Sequence, residues 1–133
     1  MRKQLGEPTR NLSRRFSPNV SRQCQHAPSL SIVSIRAKHA AEYVHLRDPR
    51  GAGFEPEKLT SGWRWDLGIS AYEEIRDSGT NFFIEWLPAG EYTLSYRLRA
   101  NMGGAFRVGP ATLQSMYAPE FTAYSAGHRL EID

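Results

Sequence analysis

From Phe82 to Ala100 apolar and polar residues alternate in two runs separated by Leu87-Pro88-Ala89-Gly90. In the first run Phe82, Ile84 and Trp86 share one face, with Phe83 and Glu85 on the other. In the second, Tyr92, Leu94, Tyr96, Leu98 and Ala100 point one way and Thr93, Ser95, Arg97 and Arg99 the other. A period of two is a strand pattern that no helix produces. Pro88 fixes φ near −65° and Gly90 permits positive φ, so the link reads as a compact reversal joining the runs into a hairpin. The same reading places strands in "SLSIVSIRAKH" and "AEYVHLRD", with a break at Pro49, Gly51 and Gly53. A loop and then a strand are expected over "GWRWDLGISAYEEIR", the strand at Ala71 to Arg76. "AFRVGPATLQSMYAPEF" predicts a strand broken at Gly109-Pro110 and stopped at Pro119, and "GHRLEI" a last short strand. The total, about seven strands over some hundred residues, predicts an all-β, antiparallel β-sandwich.

Composition narrows the organisation. With 133 residues, 40% of them hydrophobic, the chain supplies one core of ordinary size. The 11 glycines and 8 prolines are aperiodic, which suits short strands and turns. No apolar run reaches 18 residues, so no membrane span is expected, and the basic N-terminus lacks the apolar stretch of a secretory signal.

The net charge of +3 conceals an asymmetry: Met1 to Arg36 holds seven Lys/Arg against one Glu, and Ala37 to Asp133 ten against thirteen Asp/Glu. This Arg-, Ser-, Pro- and Gln-rich head shows no regular hydrophobic period, so residues 1–29 are expected to be disordered, or unmatched to the domain at 30–133. A wrongly chosen start codon or a frameshifted upstream gene would also give such a head. A basic head can neutralise phosphates. No zinc-finger, helix-turn-helix or RNA-recognition pattern follows it, and nucleic acid is not expected as a partner.

Candidate chemistry is sparse. His26, His39, His45 and His128 have no H-E-x-x-H or C-x-x-C context, so no metal or other cofactor is expected. Glu73 and Glu74 are consecutive in a strand and face opposite sides, which rules them out as a catalytic pair. No G-x-S-x-G is present, and "NMGGAF" reads as a Gly-rich hairpin turn. The chain is not expected to be an enzyme. In "RDPRGAGFEP", Arg47, Asp48 and Arg50 are placed to form an ion-paired lid.

Taken in order, "YVHLRDPRGAGFEP", "NFFIEWLPAGEYTLSYRL", "QSMYAPEF" and "SAGHRLEI" resemble the C-terminal, receptor-binding-like macroglobulin domain of the bacterial alpha-2-macroglobulin family. The resemblance runs from about Leu30 to Ile132. It implies an immunoglobulin- or macroglobulin-like sandwich, a setting in the periplasm or cell envelope, and a part in a protease-trapping inhibitor; lacking a signal peptide, the chain is expected in the cytoplasm if it is a complete product. The partners implied are a thioester domain or other neighbouring domains, and proteases indirectly. Full-length members use a Cys–Gln thioester; here Cys24 is followed by Gln25 and His26, and no C-x-E-Q occurs. There is no room for a bait region either. The resemblance therefore implies a non-catalytic interaction domain, as a fragment or accessory chain. By the same analogy the "QSMYAPEF" edge, with Met116, Tyr117 and Glu120, is the candidate partner interface. The alternative is a free-standing binding module for carbohydrate or protein, with Trp63 and Trp65 on one strand face as a ligand platform. Two core tryptophans would show the same spacing.

Overall fold

The computed structural model describes residues 10–17, 22–23, 28–65, 68–118 and 122–132. Among them thirteen strands form: β1 (Arg10–Ser17), β2 (Arg22–Gln23), β3 (Pro28–Ala37), β4 (Ala41–Pro49), β5 (Phe54–Pro56), β6 (Gly62–Arg64), β7 (Ala71–Ile75), β8 (Gly79–Leu87), β9 (Gly90–Ala100), β10 (Gly104–Val108), β11 (Thr112–Ser115), β12 (Thr122–Tyr124) and β13 (His128–Ile132). They make a four-stranded sheet in the order β1-β3-β9-β5, a six-stranded sheet β12-β11-β4-β8-β7-β6, and a small sheet β10-β13-β2. Only β13 with β2 is a parallel pair among the described strands. The architecture is the expected all-β sandwich. The count exceeds the seven expected because several strands have only two to four residues, too short to show a period.

The core lies between the two larger sheets. Val33 and Ile35 of β3 and Leu94 and Leu98 of β9 come from the four-stranded sheet, and Val44, Leu46, Phe82, Ile84 and Leu113 from the six-stranded one. Each such side chain, fully buried, contributes roughly 1.5–3 kcal/mol.

The expected hairpin between the two alternating runs is corrected. β8 pairs with β4 and β7, whereas β9 pairs with β3 and β5, so Pro88-Ala89 carries the chain from one sheet to the other. Both runs still point their apolar faces at one core, but from opposite sides. Gly90 makes the crossing with φ of 147°, and Tyr92 Oη donates to Pro88 O at 3.0 Å, closing a tyrosine corner of the kind sandwich folds use. Likewise "NMGGAF" links β9 to β10 across sheets and is not a hairpin turn. Close approach is required at Gly79, paired with Pro49. A Cβ there would lie 2.5 Å from Asp48 O.

A second correction concerns Trp86, which is exposed although Phe82 and Ile84 are buried as expected. Leu87 is buried instead. On the neighbouring strand Tyr43, at φ of 52°, interrupts the ladder between the pairs Glu42↔Trp86 and Val44↔Ile84, and the alternation resets on both strands together.

The head expected to be disordered is corrected where it is described. β1 pairs antiparallel with β3 from Arg10↔Ala37 to Ser17↔Leu30, and Phe16 and Leu12 pack on the core. Between them Arg14 is buried. Its Nη1 donates to Asp48 Oδ1 at 2.6 Å, and Nη2 donates to Gly109 O and, at 3.4 Å, to Ala126 O. Cys24 and His26 lie outside the described residues.

Asp48 is therefore no lid residue. Its Oδ2 accepts from Ser31 Oγ at 2.7 Å and Tyr96 Oη at 2.5 Å, which ties β1, β3 and β9 of one sheet to β4 of the other. Arg50, also assigned to the lid, donates to Arg76 O at 2.5 Å and Asp77 O at 2.9 Å and so fastens the turn before β8. Burial, reinforced by the charge of Asp48 and the hydrogen bond to it, pushes the Tyr96 phenol well above 10.0. The unfolded chain gives up this proton near pH 10 while the fold retains it, so the contribution is complete below that pH and is lost as pH rises further. Denaturant unfolding on either side of pH 10 is expected to show a steeper alkaline loss in the wild type than in Tyr96→Phe.

Candidate functional site

The edge carrying Met116 and Tyr117 follows directly on β11. Ser115 is the last ladder residue, opposite Val44, and Met116 N donates to Tyr43 O at 2.9 Å. Tyr117 is then set edge-on to the Tyr43 ring, with centroids 5.2 Å apart and planes at 84°. Tyr117 is 80% exposed, Met116 51% and Tyr43 42%. Tyr43 holds a left-handed backbone that a residue with a Cβ adopts at a cost of roughly 1–2 kcal/mol. Two of the three expected interface residues thus lie together on the surface. Glu120 lies outside the described residues. Tyr43 escaped the sequence reading because "AEYVHL" reads as an uninterrupted strand; a positive φ at a tyrosine has no signature in residue type.

At the opposite edge of the six-stranded sheet Trp63 lies in β6 and Trp65 just beyond it. Both are exposed, with ring centroids 6.4 Å apart and planes inclined by 21°, and Trp63 meets Tyr72 edge-to-face at 5.5 Å. They are not core residues. Both border a cavity of about 980 Å³ where β5, the last strand of one sheet, and β6, the last of the other, leave the sandwich open. Inside it Glu73 is buried. Its carboxylate lies 3.4 Å from Lys58 Nζ and 3.4 Å from Arg64 Nη1, and Arg64 also donates to Ser95 O at 2.8 Å. The signal for Glu73 was present in the sequence, since Ala71, Glu73 and Ile75 share one face of the β7 pattern.

Glu73 and Glu74 do face opposite sides. Glu74 instead accepts from Arg76 at 3.0 Å and from Asn81 at 3.1 Å, and the Arg76 hydrogen bond holds it below the ordinary carboxylate range. Asn81 Oδ1 continues the chain to His45 Nε2 at 3.0 Å, and His45 stacks on Phe83. Among the described residues no three His, Cys, Asp or Glu side chains cluster to hold a metal ion, and no helix is long and apolar enough to cross a membrane.

These features can be set beside known proteins. Residues 29–120 match the family model of the bacterial alpha-2-macroglobulin MG10 domain. Among curated proteins none matches the sequence. Among solved structures, Salmonella alpha-2-macroglobulin reacted with methylamine superposes with a TM-score of 0.77 at 18% identity, over 93% of this chain and 9% of that one. Native Escherichia coli alpha-2-macroglobulin, spanning domain MG7 to the C-terminus, gives a TM-score of 0.77 at 16% identity over 93% and 23%. A non-cellulosomal cohesin from the archaeon Archaeoglobus fulgidus gives 0.56 at 10% identity over 92% and 91%, showing how widely the sandwich itself recurs. This chain therefore spans about a tenth of the Salmonella protein. Residues 29–133 make up only about four fifths of the chain, so a superposition over 93% includes part of the head. The match over most of the length shows that the chain belongs to the bacterial alpha-2-macroglobulin MG10 domain family.

Proposed function

We propose that this chain is a non-catalytic interaction domain of a protease-trapping system, docking through Tyr117 and Met116 onto a thioester domain or another neighbouring macroglobulin domain. The carrying observation is that Tyr117 is 80% exposed yet fixed against Tyr43, whose backbone is strained. A large aromatic held in place without being buried is already oriented for an interface, and tyrosine is enriched among the anchors that dominate binding. Its phenol can bury area while the hydroxyl finds a partner. Proteases would be engaged only indirectly, since the chain has neither a C-x-E-Q thioester nor a bait region of its own. The setting we assign is the periplasm or cell envelope, in keeping with the family.

The test is a calorimetric titration of the chain against the thioester domain of a bacterial alpha-2-macroglobulin. Wild type is expected to bind, and Tyr117→Ala to weaken binding by at least about tenfold, which is 1.4 kcal/mol. The exposure of Tyr117 predicts an unchanged melting temperature, so lost affinity would report the interface. Unchanged affinity would remove Tyr117 from it. The isolated chain should neither cleave nor inhibit a protease.

A further inference from the structure

We propose that the cavity between β5 and β6 is a carbohydrate subsite, taking a neutral or acidic oligosaccharide that stacks on Trp63 and Trp65. This surface is separate from the Tyr117 edge and does not depend on the docking reading.

Trp65 is 70% exposed and Trp63 49%; the two rings stack and Tyr72 meets Trp63 edge-on, so the exposed indole of Trp65 offers a flat aromatic face backed by Trp63. A pyranose has an apolar face of C–H groups and a rim of hydroxyls, so recognising it takes a flat aromatic surface with charged or amide groups beside it. Both are here: Lys58, Arg64, Glu57, Glu73 and Arg97 line the same cavity as the two indoles. Its volume of about 980 Å³ is at the upper end of small-ligand sites, which run to roughly 1,000 Å³. More than one sugar unit fits.

The charges choose among ligands. Glu73 is held between Lys58 and Arg64, and Glu57 lies 3.9 Å from Arg97, so among the described lining residues each carboxylate already has a cation and three cations face two carboxylates. A ligand ammonium or guanidinium would find the indole faces but would compete with the protein's own cations for every carboxylate. Lys58, whose side chain is 55% exposed, carries three N–H donors and can give those not directed at Glu73 to a hydroxyl or a sugar carboxylate. An added peptide strand is disfavoured because β6, the edge strand at this opening, is only three residues long.

The test uses the full 133-residue chain and two probes, a neutral N-acetylglucosamine trisaccharide and a galacturonic acid trisaccharide. The readout is the indole N–H signals of the three tryptophans by NMR, with the exposed Trp86 of β8 as internal reference. Saturable shifts of Trp63 and Trp65 but not Trp86 are expected with at least one probe. Trp65→Ala, at an exposed position, should fold normally and weaken that binding by at least about tenfold. No saturable shift with either probe up to about 10 mM, the weak end of specific binding, would overturn the proposal. So would equal affinity in Trp65→Ala, or a response to oligolysine alone.

Discussion

Replacing Arg14 with alanine is expected to destabilise the domain by about 3–5 kcal/mol, while Arg15→Ala, one residue along the same strand, changes stability by no more than about 0.5 kcal/mol. Arg15 is exposed, and Arg14 has a side chain with no accessible surface. The guanidinium is the only cation within ion-pair distance of Asp48 among the described residues. Without it the carboxylate, 1% exposed, keeps two neutral donors, Ser31 and Tyr96, and Gly109 and Ala126 lose a donor to their carbonyls. Leaving one member of a buried pair uncompensated is the costly case. Exchanging both members for apolar residues is often neutral, so Arg14→Met combined with Asp48→Leu should recover part of the loss. Domain stability is typically about 5–15 kcal/mol, so the single change should be plain in denaturant unfolding. Equal effects of Arg14→Ala and Arg15→Ala would mean that β1 is not pinned through Arg14.

The same residues explain what the sequence concealed. Leu12, Arg14 and Phe16 alternate inward as regularly as Val44, Leu46 and Asp48, but each series has a charged residue where a core position is expected to be apolar. A hydrophobicity pattern discards such positions, and so the head read as patternless and Asp48 as part of a surface loop. Each charge is intelligible only beside its partner, and the partners are 34 residues apart. Glu73 shares the inward face of Ala71 and Ile75, and it was passed over because a charge there reads as solvated. Legible were the alternating faces of β9, the strand expected at Ala71 to Arg76 and found at Ala71–Ile75, and the break at Gly109-Pro110, where local chemistry decides the outcome. Pairing was not legible. The Pro88–Gly90 link serves a hairpin or a crossing between sheets equally well, because both leave the apolar faces of the adjoining strands on one core.

That ambiguity does not touch the prediction for β9 itself. Leu94→Ala or Leu98→Ala is expected to cost about 2–5 kcal/mol, and Arg97→Ala no more than about 0.5 kcal/mol. Leu94 is fully buried and Leu98 2% exposed, in the strand that sits between β3 and β5 at the middle of its sheet. Truncating either removes transfer free energy and opens a cavity against a core whose facing sheet cannot follow, because Asp48 and Arg14 fix the two sheets together. Arg97 lies between these leucines on the outer face, and its ion pair to Glu57 at 3.9 Å, the one it makes among the described residues, is solvent-exposed on the Arg97 side and worth little. Urea unfolding of the three variants measures the contrast directly. Leucine losses near the top of the range would indicate cavities that stay open, as expected between sheets locked by a buried ion pair. Values near the bottom would mean that the sheets close over the gap. Similar losses at Leu94, Leu98 and Arg97 would contradict the assignment of faces in β9, and with it the placement of Tyr96 beside Asp48.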